Sequence, residues 1–152
     1  MAGVNYTLKF EEKEKLQRRF NQLLKQGTSL QPAFQDIGEM LLLSHDQRFR
    51  DQVSPDGEPW APLSPAYQAR KPKRQNDILT LNSILSGNLS YIATGSNLFF
   101  GTPQEYGAIH HFGGSEDMRR ANAAIPARPW LGVDEDDNAE IYDILSDFLL
   151  QE

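Results

Sequence analysis

Two adjacent histidines, His110 and His111, are the side chains in this 152-residue chain whose type most readily suggests acid–base or metal chemistry. Neighbouring positions diverge by about 100° on a helix and point to opposite faces on a strand, so the two rings do not converge on one ion. His45 is the remaining histidine and cysteine is absent, so a metal would need carboxylates from distant segments. These spacings favour a structural role, with one ring packed and the other hydrogen bonded. A small metal-dependent hydrolase using His110 or His111 is the weaker alternative. Glu11, Glu12 and Glu14 belong to a charged helix face, not to a facing catalytic pair. The sequence contains no glycine-rich phosphate loop, nucleophile elbow or spaced His/Glu helix motif. No catalytic residue, cofactor or metal is therefore expected.

The second cluster is Arg70-Lys71-Pro72-Lys73-Arg74, four cations in five residues. Such a run can hold phosphates, but it lacks interleaved aromatics for stacking and any groove-reading helix. Contact with an acidic protein surface is favoured over a DNA-contacting accessory role. The charge distribution points the same way. The first 74 residues carry 12 basic and 9 acidic side chains, net +3, and the remainder carry 3 basic and 12 acidic, net −9. A chain of net charge −6 is a poor sequence-independent nucleic-acid coat. Copies of it would attract one another front to back. The candidate contacts are Arg70, Lys71, Lys73 and Arg74 on one side, with Asp134, Asp136, Asp137, Glu140 and Asp143 on the other. Arg119 and Arg120 join them from a polar stretch, Ser115–Ala123, expected to be mobile until assembly.

Composition bounds the setting. The 39% hydrophobic and 24% charged content is that of a single globular domain over residues 1–152. Zero cysteines exclude disulfides and thiol catalysis. The longest apolar run, Met40–Leu43, is four residues, far short of the roughly 20 needed to span a bilayer. Met1–Lys9 has no signal-peptide core. The expectation is a protein of the cytosol, or of something assembled there, with no membrane partner.

The elements that must position these groups read as α+β, a small antiparallel sheet with two N-terminal helices and a C-terminal helix packed on it. Leu16, Phe20, Leu23 and Leu24 form a stripe in a helix over Phe10–Lys25, stopped by Gly27. A second helix starts near Pro32 and ends near Gln52, with Phe34, Ile37, Leu41 and Phe49 toward the core. Met40, Leu42 and Leu43 widen its apolar face, so it is either central or covered by a partner. Ser64-Pro65 predicts a short capped helix to about Arg70. Leu89–Thr94 and Leu98–Thr102 predict a hairpin across Gly95-Ser96-Asn97. Tyr106–Phe112 fits one or two helical turns, and Ile125–Val133, with Pro126 and Pro129, fits an edge strand. Asp134 is a plausible N-cap for a terminal helix lined by Ile141, Ile144, Leu145, Phe148 and Leu149.

Three segments carry a family resemblance. Ser54-Pro-Asp-Gly-Glu-Pro-Trp-Ala-Pro-Leu-Ser64, containing Asp56, Gly57 and Trp60, is followed by the basic run. Tyr106-Gly-Ala-Ile-His-His-Phe-Gly-Gly114 contains His110, Phe112 and Gly113. Ile125-Pro-Ala-Arg-Pro-Trp-Leu-Gly132 contains Arg128, Pro129, Trp130 and Gly132. In this order they resemble the phage virion morphogenesis family, the tail-completion proteins of Mu-like and related contractile-tailed phages. One departure is that Leu79–Leu85 lacks the glycine of that family's usual Thr-Gly pair, so its turn should differ. The resemblance implies a non-catalytic protein that completes the tail and joins it stably to the head. It implies a six-fold homo-oligomeric ring at the tail's head-proximal end, with other tail and connector proteins as partners. Free, the chain would be monomeric and assemble only on the tail as template; it would be found in the host cytoplasm during assembly and then in the virion. The second and third motifs are expected to be adjacent, with Tyr106, Ile109, Phe112 and Trp130 as bulky core members and Arg128 as a polar tie.

Overall fold

The computed structural model describes residues 14–114 and 125–150. The start of the first expected helix, the Ser115–Ala123 stretch and Arg119 and Arg120 lie outside them. The order is α1 (Glu14–Lys25), α2 (Gln31–Asp51), α3 (Pro65–Arg70), α4 (Ile84–Gly87), β1 (Ser90–Ala93), β2 (Leu98–Gly101), α5 (Tyr106–Phe112) and α6 (Glu135–Leu150). It is a small α+β fold.

The two strands pair antiparallel, Ser90 opposite Gly101 through Ala93 opposite Leu98. The Thr94 N–H donates to the Asn97 carbonyl at 2.8 Å and closes the turn. Period-two alternation places Tyr91, Ala93, Leu98 and Phe100 on the half-buried face, and leaves Ile92 and Phe99 exposed as a cross-strand pair. Only α2 lies broadly against this sheet; its other side packs against α6, and α1 packs on α6. The wide apolar girth of α2 therefore reflects its central place. Leu41 is buried, Met40 and Leu42 are half-buried, and Leu43 alone faces out. Gly38 is what lets the sheet approach, since a Cβ there would lie 2.5 Å from the Tyr91 ring.

Burial divides into two clusters along α2. Leu16, Leu30, Ile37, Leu41, Ile141, Leu145 and Leu149 form one around its first half. Phe49, Trp60, Leu85, Trp130 and Leu131 form the other around its end. His45 sits between them, 1% exposed, with its ring 4.6 Å from that of Phe100. Its Nδ1 donates to the Leu41 carbonyl at 2.7 Å, and its Nε2 accepts from the Gly132 N–H at 3.3 Å. That pairing is satisfied only by the neutral ring.

One expectation changes. Residues 125–133 form no strand, for reasons given below. The stretch lacking the family's glycine turns with Leu79 and Ser83 in left-handed conformations, φ 56° each, and α4 follows at once. Such conformations cost about 1–2 kcal/mol per non-glycine residue, and Leu79 offsets that by packing on the second cluster.

Burial, and then the nearby Arg48 charge, hold His45 at about 3 against an ordinary 6.5. The unfolded chain thus binds a proton that the fold does not, between those two values. The stability due to neutral His45 is complete above pH 6.5 and falls as pH drops toward 3, by about 1.4 kcal/mol per unit. Burial lowers His110 and His111 also, adding in the same sense. Urea unfolding from pH 7.5 to 4.5 should show this slope, and His45→Gln should flatten it by roughly one proton.

Candidate functional site

Residues 125–132 run as a strap whose backbone groups are matched mainly by side chains. Pro126 and Pro129 have no N–H to give a ladder. The Trp130 and Leu131 N–H groups both donate to His111 Nδ1 at 3.3 Å, and the Gly132 N–H donates to His45. The Pro129 carbonyl accepts from Trp60 Nε1 at 2.7 Å. The Trp130 and Gly132 carbonyls accept from Arg48 Nη1 at 3.2 and 3.1 Å. Most backbone groups from Pro129 to Gly132 are thus taken, which leaves little for a strand partner. Gly132 is required by closeness: a Cβ there would meet the Pro55 ring at 2.8 Å, which docks the Asp56-Gly57 turn against the strap.

The expected adjacency of the second and third motifs is present. The Arg128 N–H donates to the His110 carbonyl at 2.8 Å, and Trp130 Nε1 donates to the Gly107 carbonyl at 2.8 Å. Trp130 is 1% exposed. Arg128 is the polar tie, buried, with Nε on the Ala61 carbonyl at 2.7 Å and Nη2 on the Pro62 carbonyl at 2.9 Å. Trp60 is an anchor, edge-on to Phe49. Phe112 and Tyr106 are corrections: they are 66% and 39% exposed. In so short a helix one side alone meets the core, and Gly107 and His111, one turn apart, take it.

The sequence reading missed Arg48. Its guanidinium is 3% exposed and bridges the strap to Asp137 Oδ2 at 3.1 Å and Asp134 Oδ2 at 3.3 Å. These acids also cap α6 reciprocally: the Asp137 N–H donates to Asp134 Oδ1 at 2.8 Å and the Asp134 N–H to Asp137 Oδ2 at 3.2 Å. Asp137 is buried and Asp134 half-exposed, so these two candidate contacts are structural. The available signal was spacing, because Arg48 follows Leu41 by seven positions and adjoins Phe49 on the core face.

Lys71 is likewise withdrawn from the surface. It is 4% exposed, and its ammonium donates to the carbonyls of Arg74, Asp77 and Thr80 at 2.6, 2.5 and 2.9 Å. Arg70 donates to the Ala66 carbonyl at 3.1 Å and Arg74 to Ser83 Oγ, both still exposed, as is Lys73. Beside this cluster opens a groove of about 1050 Å³ between α3, the turn before α4, α5 and the strap. Exposed Tyr67, Ile84 and Tyr106 line it, with Arg70, His110 and Arg128. His110 Nδ1 has no partner among the described residues. On α6 the exposed acids Asp136, Glu140, Asp143 and Asp147 recur at steps of four, three and four. The structure thus keeps a cationic apolar groove and an acidic helix face, while retiring Lys71, Asp134 and Asp137.

A chain built this way, with two of its three histidines holding backbone and unlike charged surfaces outside, is shaped as a structural subunit. The phage virion morphogenesis family matches residues 11–150, and the chain belongs to that family. Among its relatives is protein G of Escherichia phage Mu, a candidate capsid assembly protein, 34% identical over 109 residues, or 69% of this chain and 70% of that one. The Mu-like prophage FluMu G protein 2 of Haemophilus influenzae is 30% identical over 84 residues, 55% of this chain and 59% of its own length. No solved structure matches. The family and these relatives support a role in phage assembly.

Removing Arg48 as Arg48→Met strands two acids at the head of α6 and should cost about 3–5 kcal/mol. Trp130→Ala should cost a similar amount through the cavity it leaves, about 3–5 kcal/mol; an unchanged melting temperature would make Trp130 a partner contact instead. Lys71→Ala should lose about 1.5–3 kcal/mol, whereas Lys73→Ala two positions on should stay within about 0.5 kcal/mol. Urea unfolding of the four variants separates these cases.

Proposed function

We propose that this protein completes the phage tail and joins it to the head. It would act without catalysis, as a six-fold homo-oligomeric ring at the head-proximal end of the tail. The observation that carries the reading is the pairing of family membership with two unlike charged surfaces on one subunit. Contacts between different surfaces close into rings when the rotation between subunits allows, and a ring is the shape that caps a tube. Other tail and connector proteins would then meet the ring's two faces. Assembly would take place in host cytoplasm and the product would remain in the virion.

Two of the three histidines, His45 and His111, support a non-catalytic reading. His111 spends its acceptor on two backbone N–H groups, and His45 is engaged through both ring nitrogens. Neither is poised to exchange a proton with a substrate.

The test is a phage lacking this gene. Separate filled heads and finished-length tails should accumulate, and purified protein added to the extract should restore joined particles. Loss of the heads themselves would instead place the protein in capsid formation, and joining that proceeds normally without it would remove the proposal.

A further inference from the structure

We propose that the groove beside the basic cluster seats the outer face of α6 from a second copy of this chain. The inference rests on the ring reading above and names its joint.

The groove has a cation problem. Arg70, Lys73, Arg74 and Arg128 lie in or beside it, and none has a carboxylate within ion-pair distance among the described residues. Arg70, Arg74 and Arg128 are held only by neutral oxygens, backbone carbonyls and the Ser83 hydroxyl. Such hydrogen bonds fix the side chains but leave their charge uncompensated, and low-dielectric walls focus that field outward.

The outer face of α6 has the reverse problem. Asp136, Glu140, Asp143 and Asp147 stand on one stripe, none in an ion pair among the described residues. Like charges one turn apart destabilise a helix by about 0.2–0.5 kcal/mol per pair. The next position of the same stripe is Leu150, 45% exposed. The stripe is therefore four acids and then a leucine, at steps of four, three, four and three. The groove offers the complement, exposed Tyr67, Ile84 and Tyr106 with cations alongside. A helix laid by one face into such a groove is a recurring mode of recognition, with apolar anchors giving affinity and charges giving orientation. Groove and stripe are different surfaces, so the contact repeats head to tail from copy to copy.

The chain has no cysteine, which makes an engineered pair unambiguous. Ile84→Cys chains mixed with Asp143→Cys chains and treated with a short bismaleimide should give the mixed cross-link in preference to either like pair. This should hold on tails, and in concentrated free protein if the ring forms without tails. Placing Arg70→Glu and Lys73→Glu on the groove chain should cut the yield about tenfold at low salt. Adding Asp136→Lys and Glu140→Lys to the partner should restore it. Circular dichroism and urea unfolding confirm that each variant is folded. No mixed cross-link in either setting, or one indifferent to charge reversal, overturns the joint. Steeply salt-dependent binding of duplex DNA, abolished by Arg70→Glu/Lys73→Glu and without any mixed cross-link, overturns it in favour of DNA. Tail joining separates the two levels: a folded double variant that joins tails as fast as wild type removes the joint alone, whereas wild-type protein that fails to restore joining removes the assembly reading itself.

Discussion

The buried guanidinium of Arg48 ties three parts of the chain together. It lies where α2, the strap and the head of α6 meet, and it joins all three. A buried ion pair contributes little net stability against an apolar alternative, yet removing one partner is costly because the other charge stays behind. Its value here is geometric. Five donors in a fixed plane can satisfy only one arrangement of two carbonyls and two carboxylates. The start of α6 is thereby fixed relative to the end of α2.

From that node the strap follows. Arg48, His45, His111 and Trp60 among them meet most of the polar backbone groups from Pro129 to Gly132, so this irregular segment can lie in the core without a sheet. Trp130 is carried inward with it and joins the second cluster. Arg128, midway along the strap, ties back to Ala61 and Pro62 and so sets one wall of the groove. The family's three motifs thus form one assembly: a turn docked on Gly132, a short helix beneath Trp130, and the strap between them. The groove is what they leave at the surface.

Elements with local chemistry were legible in the sequence. Proline near the start of α2, the Ser64 cap of α3, the hairpin turn and the Asp134 cap of α6 each announce themselves within a few residues. The strap was not legible, because side-chain capping of a backbone has no period and two prolines imitate an edge strand. Arg48, Lys71 and Asp137 were misplaced or passed over for one reason: a charge in a sequence reads as solvent-facing. Partners make the burial tolerable: three carbonyls of the turn that follows for Lys71 and a distant guanidinium for Asp137. The short helix α5 spans too few turns for its apolar residues to declare which side is inner, so Tyr106 and Phe112 were set on the wrong one. Part of the charge asymmetry between the chain's halves lies in the groove and on the outer face of α6, while α1 also exposes Lys15, Arg18 and Lys25.

If the groove and the outer face of α6 meet between copies, as proposed, a ring closes at the end of a tail through unlike surfaces. Electron cryomicroscopy of tails before and after addition of the protein tests it most directly. A six-fold ring at the head-proximal end is expected, with each subunit's groove against the neighbour's α6. Density elsewhere on the particle, or a single copy at that end with groove and α6 both free, would contradict it.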